Sequence, residues 1–151
     1  NSVIAQSLSI FNGMGISVLH SVGKLNALPQ ADGGYRPVAY VDAMADAYLA
    51  ADLIIARSGA VTCSEFRALG RYALFVPLPI GNGEQAVNAS DLQAAGAAEV
   101  VDDNKFNSDW LSSNWDEIWR KARNYQATPS AQLSASETIG SEIIRAIDGR
   151  K

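Results

Sequence analysis

Two short runs hold residue types suited to a charged, hydroxyl-rich ligand. The first is Arg57-Ser58-Gly59-Ala60-Val61-Thr62-Cys63-Ser64-Glu65. It follows the apolar Leu53-Ile54-Ile55-Ala56 and leads into a helical pattern ending near Leu69 and Gly70. A strand, a small polar turn and a helix N-terminus together build the ligand crevice of an open α/β sheet. The first N–H groups of such a helix suit an anion. Glu65, about one turn further in, is placed to accept hydrogen bonds from sugar hydroxyls. An ordinary strand-to-helix turn capped by Ser or Thr would use the same residue types.

The second run is Pro77-Leu78-Pro79-Ile80-Gly81-Asn82-Gly83-Glu84-Gln85-Ala86-Val87-Asn88. Two prolines stiffen the exit from the preceding apolar stretch, and the glycines permit conformations other residues resist. Gln85 and Asn88 are three apart and share a helix face, where their amides can both donate to and accept from a sugar. A solvated helix start would also carry Glu, Gln and Asn. The two polar runs in one short chain favour a nucleotide or sugar-nucleotide site.

Other reactive types are sparse. His20 is the only histidine, so it cannot form a metal cluster with others, and no neighbouring carboxylate in sequence marks it as catalytic. Cys63, the only cysteine, excludes an internal disulfide, fits a reducing compartment and reads as buried filler. There is no Walker or G-x-G-x-x-G motif, and no carboxylate pair calls for a metal. No catalytic residue, metal ligand or cofactor is assigned.

The elements that would position the two runs alternate. A helix is expected over residues 2–11 and strands over 16–20, 37–41, 53–56, 73–76 and 98–101. Helices are expected after Asp42 as cap, over 61–69, and over 85–95 with Gly96 at its end. Pro37 is tolerable only at the start of its strand. This alternation argues for a doubly wound parallel sheet, and the unbroken apolar character of the third and fourth strands agrees with cover on both faces. Beyond residue 107 only helices are expected, to about residue 149. Trp110, Trp115 and Trp119 lie at helical spacing as packing residues, with Asn114 and Glu117 as a capping box. A break at Thr128-Pro129-Ser130 precedes a last helix through Leu133, Ile139, Ile143, Ile144 and Ile147.

Size and composition agree with one soluble domain over residues 1–151. The chain is 48% hydrophobic and 19% charged, with a net charge of −4. Residues 1–75 carry five basic and five acidic side chains, and residues 76–151 seven and eleven, so no basic patch recommends nucleic acid. No apolar run is long enough to cross a bilayer, and no leader indicates export.

In register, Tyr40-Val41-Asp42-x-Met44-Ala45-x-Ala47-Tyr48-x-Ala50-Ala51-Asp52, Arg57-Ser58-Gly59-Ala60-x-Thr62-x-Ser64-Glu65, Ala73-Leu74-Phe75-Val76-Pro77 and Gln85-x-x-Asn88-Ala89 strongly resemble the C-terminal domain of the MurG family, with the 77–85 loop most like actinobacterial members. That family transfers N-acetylglucosamine from UDP-N-acetylglucosamine (UDP-GlcNAc) to a lipid-linked muramoyl pentapeptide, making lipid II from lipid I in peptidoglycan synthesis. The resemblance implies a Rossmann-like second domain of a GT-B glycosyltransferase, with the donor substrate as ligand. Backbone around Val41 would meet the uracil. Ala60, Val61 and Thr62 would lie against the diphosphate, with Ser58 and Gly59 also among the donor-binding residues; Glu65 would hold the ribose, and Glu84 and Gln85 would read the sugar with support from Asn88.

The departures from the family are equally informative. The acceptor-binding first domain, with its general base, is not in these residues. Nor is the central strand and glycine-rich loop that open the second domain, so a gap in the sheet is expected, or a rearranged order with residues 16–20 paired to 53–56. Arg71-Tyr72 also replaces the family's usual proline after Gly70. The expectation is a UDP-sugar-binding half that is inactive alone and depends on a missing N-terminal domain or complementary chain. Through that domain it would meet the lipid-linked acceptor at the cytoplasmic face of the bacterial membrane. The rivals are a non-catalytic truncated or rearranged domain acting in structure or association, including self-association, and the donor domain of another UDP-sugar transferase.

Overall fold

A computed structural model describes residues 1–126. The expected break at 128–130 and the helix beyond it lie outside these residues.

Three strands form the heart of the fold. β3 (Ile54–Ala56), β4 (Ala73–Phe75) and β5 (Ala98–Val100) pair in parallel in the order β3-β4-β5. β4 is wholly buried, and side-chain alternation sends its residues to opposite faces. Ala73 and Phe75 join Cys63 and Phe66 of α4 (Ala60–Leu69) with Ala89 and Leu92 of α5 (Glu84–Ala94). Leu74 and Val76 join Phe11 of α2 (Leu8–Gly13) with Leu111, Trp115 and Ile118 of α6 (Ser108–Asn124). Both faces of the sheet are therefore covered, as its apolar strands require. Edge contacts between rings tighten each side, with Phe66 5.2 Å from Phe75 and Phe11 4.9 Å from Trp115. Cys63 is fully buried in the first cluster, and burial raises its thiol pKa. The tryptophans do act in packing: Trp115 is buried, and Trp110 and Trp119 lean on the second cluster.

β1 (Val18–Ser21) and β2 (Tyr35–Val38) form a separate parallel pair. Ile16 and Val18 on the β1 side pack on the same cluster as Leu53 and Ile55 on the β3 side. No ladder joins β1 to β3 among the described residues, so the single continuous sheet is divided and the rearranged order does not occur. β3 shows the consequence: its three residues are half-buried, where those of β4 are fully buried.

Several local expectations are corrected. Helix 2–11 is two helices, α1 (Ser2–Gln6) and α2, broken at Ser7, whose hydroxyl donates to the Val3 carbonyl at 2.8 Å. Pro37 stands third in β2, not first. The Gly34 and Val38 carbonyls accept from the N–H groups of Val18 and Val22, at the start of β1 and just past its end, so by alternation the Pro37 nitrogen faces away from β1, where no donor is needed. Asp42 does not cap α3 (Met44–Ala50), which starts from Ala43 without a side-chain cap. Asn114 is not a cap either. α6 starts at Asn107, whose side chain accepts from the Trp110 N–H at 2.9 Å, and Asn114 lies in mid-helix. The expected ends at Gly70 and Gly96 hold: both are left-handed, with φ of 60° and 69°.

Candidate functional site

The site forms where β3 and β4 end and α4 and α5 begin. Gly59 is the N-cap of α4, in extended geometry and with no side-chain cap, so the ordinary Ser or Thr cap is not what this turn contains. The first helical bond runs from the Cys63 N–H to the Gly59 carbonyl, which leaves the N–H groups of Ala60, Val61 and Thr62 without helical acceptors. No acidic side chain occupies the first turn of α4. Ser58, one residue earlier, is fully buried, and its Oγ has no hydrogen-bond partner among the described residues. Three open donors at the positive end of a helix, beside an unused buried hydroxyl, fit an anionic group.

Glu65 is half-buried on α4. Its charge reaches Tyr48 of α3: burial first, then the nearby Glu65 carboxylate, raises the Tyr48 phenol pKa. Tyr48 also packs against Phe66 at 5.0 Å, which fixes α3 beside the Glu65 side of α4.

The 77–88 segment reaches the same place. Asn88 Nδ2 donates to the Ser58 carbonyl at 3.2 Å, tying the first turns of α5 to the approach of α4. Gln85 Oε1 accepts from the Leu78 N–H at 2.9 Å. Its oxygen is thus committed to the protein, which narrows the sugar-facing role of Gln85 to its NH2 donors. Glu84 is exposed in the first turn of α5. The N-cap of that helix is Gly83, at φ 77°. Exposed Val61, Ile80 and Val87 belong to the same turns and loop.

The structure therefore brings Ser58, Gly59, Ala60, Val61, Thr62, Gln85 and Asn88 to the adjoining starts of α4 and α5, the candidate crevice, with Glu65 one turn behind and Glu84 exposed beside Gln85. Val41 follows β2, in the other sheet, and makes no hydrogen bond to residues 57–88. His20 is buried away from the crevice. Its Nδ1 pairs with the Tyr35 hydroxyl at 2.8 Å and its Nε2 with Asn1 Oδ1 at 3.2 Å, and burial lowers its pKa. Two cavities lie elsewhere and contain none of the crevice residues. One of about 650 Å³ opens at the far ends of β4 and β5, lined by Tyr72, Glu99 and Lys121 among others, and one of about 270 Å³ lies beside His20. Neither is lined by a buried polar side chain left without a partner among the described residues, as Ser58 is beside the start of α4.

Arg57 opens the first polar run, yet its role was not legible there. Arg57 Nη1 donates to the Val76 carbonyl at 3.0 Å and the Pro77 carbonyl at 3.4 Å, and forms an ion pair with Asp103 beyond β5. Partners 19 to 46 residues away leave no local signal.

The glycosyltransferase family 28 C-terminal domain matches residues 1–143 of the chain. The chain belongs to this family. Over 103 residues it is 56% identical to the UDP-N-acetylglucosamine–N-acetylmuramyl-(pentapeptide) pyrophosphoryl-undecaprenol N-acetylglucosamine transferase of Corynebacterium efficiens, covering 68% of this chain and 29% of that protein. The enzyme of the same name from Corynebacterium glutamicum is 41% identical over 144 residues, covering 95% of this chain and 40% of that one. The crystal structure of Acinetobacter baumannii MurG superimposes with a TM-score of 0.54 at 32% identity, over 71% of this chain and 35% of that one. The chain thus spans less than half the length of these relatives. As a family 28 C-terminal domain it has the Rossmann-like fold of the second half of a GT-B glycosyltransferase.

Proposed function

We propose that the chain is the donor-binding half of a MurG-type transferase and holds UDP-GlcNAc across the C-terminal ends of β3 and β4. The observation that carries this reading is the uncapped start of α4 beside the unpartnered, buried Ser58 hydroxyl. A diphosphate there would accept from the N–H groups of Ala60, Val61 and Thr62, a setting in which a helix terminus stabilises an anion by about 0.3–2 kcal/mol. Glu65 would accept from the ribose diol, and backbone near Val41 would meet the uracil. The NH2 group of Gln85, with Glu84 beside it, would meet the N-acetylglucosamine. The names of the similar enzymes support this donor.

The chemistry would be displacement at the anomeric carbon with inversion, as the acceptor hydroxyl attacks and UDP leaves with the bonding electron pair. Open N–H groups at the diphosphate would stabilise the charge that develops there. The crevice supplies this leaving-group half. The base that takes the acceptor's proton would come from a first domain outside these residues, so the chain would be inactive alone. The lipid-linked acceptor would be met through that domain, at the cytoplasmic face of the membrane.

Calorimetric titration with UDP-GlcNAc and with UDP tests the reading. Saturable binding of both, lost in Glu65→Ala, is the expected result. A folded chain that binds neither would overturn it and favour the second reading, a non-catalytic association domain. The edges of β1 and β3 that carry no ladder among the described residues are what speak for that alternative, because such edges accept strands from other chains. Dimerisation that rises with concentration, without nucleotide affinity, would select it.

A further inference from the structure

We propose that Arg57 and Asp103 form a latch that positions the 76–85 segment, and with it the amide of Gln85. This rests on the donor-binding reading only where the sugar is concerned. Arg57 comes immediately after β3, Val76 and Pro77 immediately after β4, and Asp103 just after β5. One guanidinium nitrogen therefore gathers the C-terminal ends of all three strands of the central sheet. The chain of contacts continues outward. Residue 77 leads to Leu78, whose N–H is gripped by Gln85 Oε1 at 2.9 Å, and the Leu78 carbonyl accepts from the Ile80 N–H at 2.9 Å. With its oxygen held, the Gln85 amide has one orientation, and its NH2 group faces away from the Leu78 N–H.

The same short stretch of α4's approach grips this segment twice. The Arg57 side chain holds its start, and the Ser58 carbonyl accepts from Asn88 Nδ2 beyond its end. Between these two anchors run Pro79, Gly81 and Gly83, the last two with φ of 65° and 77°. A loop with two left-handed glycines has few contacts of its own to fix it, so its position is inherited from its ends.

The latch is not a stability device. Its side chains are 48% and 35% exposed, and ion pairs at that exposure contribute about 0–1 kcal/mol. Its effect is geometric: the carbonyls of Val76 and Pro77 accept from a side chain that is itself aimed by Asp103. Arg57 is thus a positioning residue. It acts on the sugar through Gln85, where a phosphate ligand would act on UDP directly.

The test uses the 151-residue chain with Arg57→Ala, Arg57→Lys and Asp103→Asn. Amide hydrogen exchange reads the latch without any ligand. Exchange at Leu78 should rise about tenfold in Arg57→Ala, less in Asp103→Asn, and recover in part in Arg57→Lys, while Leu74 and Phe75 stay protected. In titrations, the preference for UDP-GlcNAc over UDP should shrink about tenfold in Arg57→Ala, with UDP affinity changed less than about threefold. Unchanged Leu78 exchange in a folded Arg57→Ala protein overturns the latch. Equal losses for UDP and UDP-GlcNAc also overturn it and make Arg57 a phosphate ligand. If the wild-type chain binds neither nucleotide, the donor-binding reading fails, and the exchange result still decides the latch. Should Arg57→Ala fail to fold, Asp103→Asn, which keeps shape and removes charge, carries the same comparison.

Discussion

α4 and α6 both start just past the C-terminal ends of central strands, yet their first turns are finished in opposite ways. α6 has Asn107 accepting from the Trp110 N–H, Asp109 in its first turn, and Lys121 and Arg123 in its last. Each of these features complements the open groups or the dipole of a helix. α4 has a glycine N-cap, no acidic side chain in its first turn, and three N–H groups with no helical acceptor. The first helix end is built for stability alone. The second leaves that stabilisation unused, and a ligand is the natural partner for what is left open.

The comparison can be tested by changing residues on each side. Replacing Trp115 with Ala, in the cluster that α6 completes, should cost about 3–5 kcal/mol in denaturant unfolding. A loss below about 1 kcal/mol would mean that α6 is not integral to the core. Glu65→Ala should raise the UDP dissociation constant about thirtyfold, near the ~2 kcal/mol of a charge-assisted hydrogen bond, with little change in unfolding. If stability falls and binding does not, Glu65 belongs with the structural residues. Asn107→Ala should cost about 1 kcal/mol of stability and leave UDP affinity unchanged, as checked by paired unfolding and titration. Gly59→Ser is the smallest and most discriminating change. A Cβ at Gly59 meets nothing within 4 Å, so a serine fits and can cap α4, adding a few tenths of a kcal/mol, about 0.3, of stability. UDP binding should weaken at the same time, because the added hydroxyl competes for the open N–H groups. Tighter binding would show that those groups are not the anion site.

How legible each part was follows from the range of the forces involved. α4, α5 and the ends at Gly70 and Gly96 were readable because apolar spacing and left-handed glycines are local signals. Pro37 in mid-strand was not, since its tolerance depends on which edge of β2 faces a partner. Asn107 as the cap of α6 also escaped, because Asn114 and Glu117 have capping-box spacing and only the three-dimensional entry of the chain places the helix start seven residues earlier. At the site, residue types and spacing marked 57–65 and 77–88. They did not show that Gln85 spends its oxygen on Leu78, or that Arg57 reaches across to Asp103. The division of the strands into two sheets was anticipated only as a gap, and that expectation came from resemblance rather than from pattern.

Cys63 lies fully buried where α4 and α5 meet β4, and the chain has no second thiol. The protein therefore carries its own clock. A thiol reagent can reach this sulfur only when the packing of α4 against α5 and β4 opens, so the labelling rate counts those openings without any introduced probe. Since α4 begins with the proposed diphosphate contacts, a bound nucleotide should slow the clock, and the degree of slowing would report how firmly the ligand holds that helix in place.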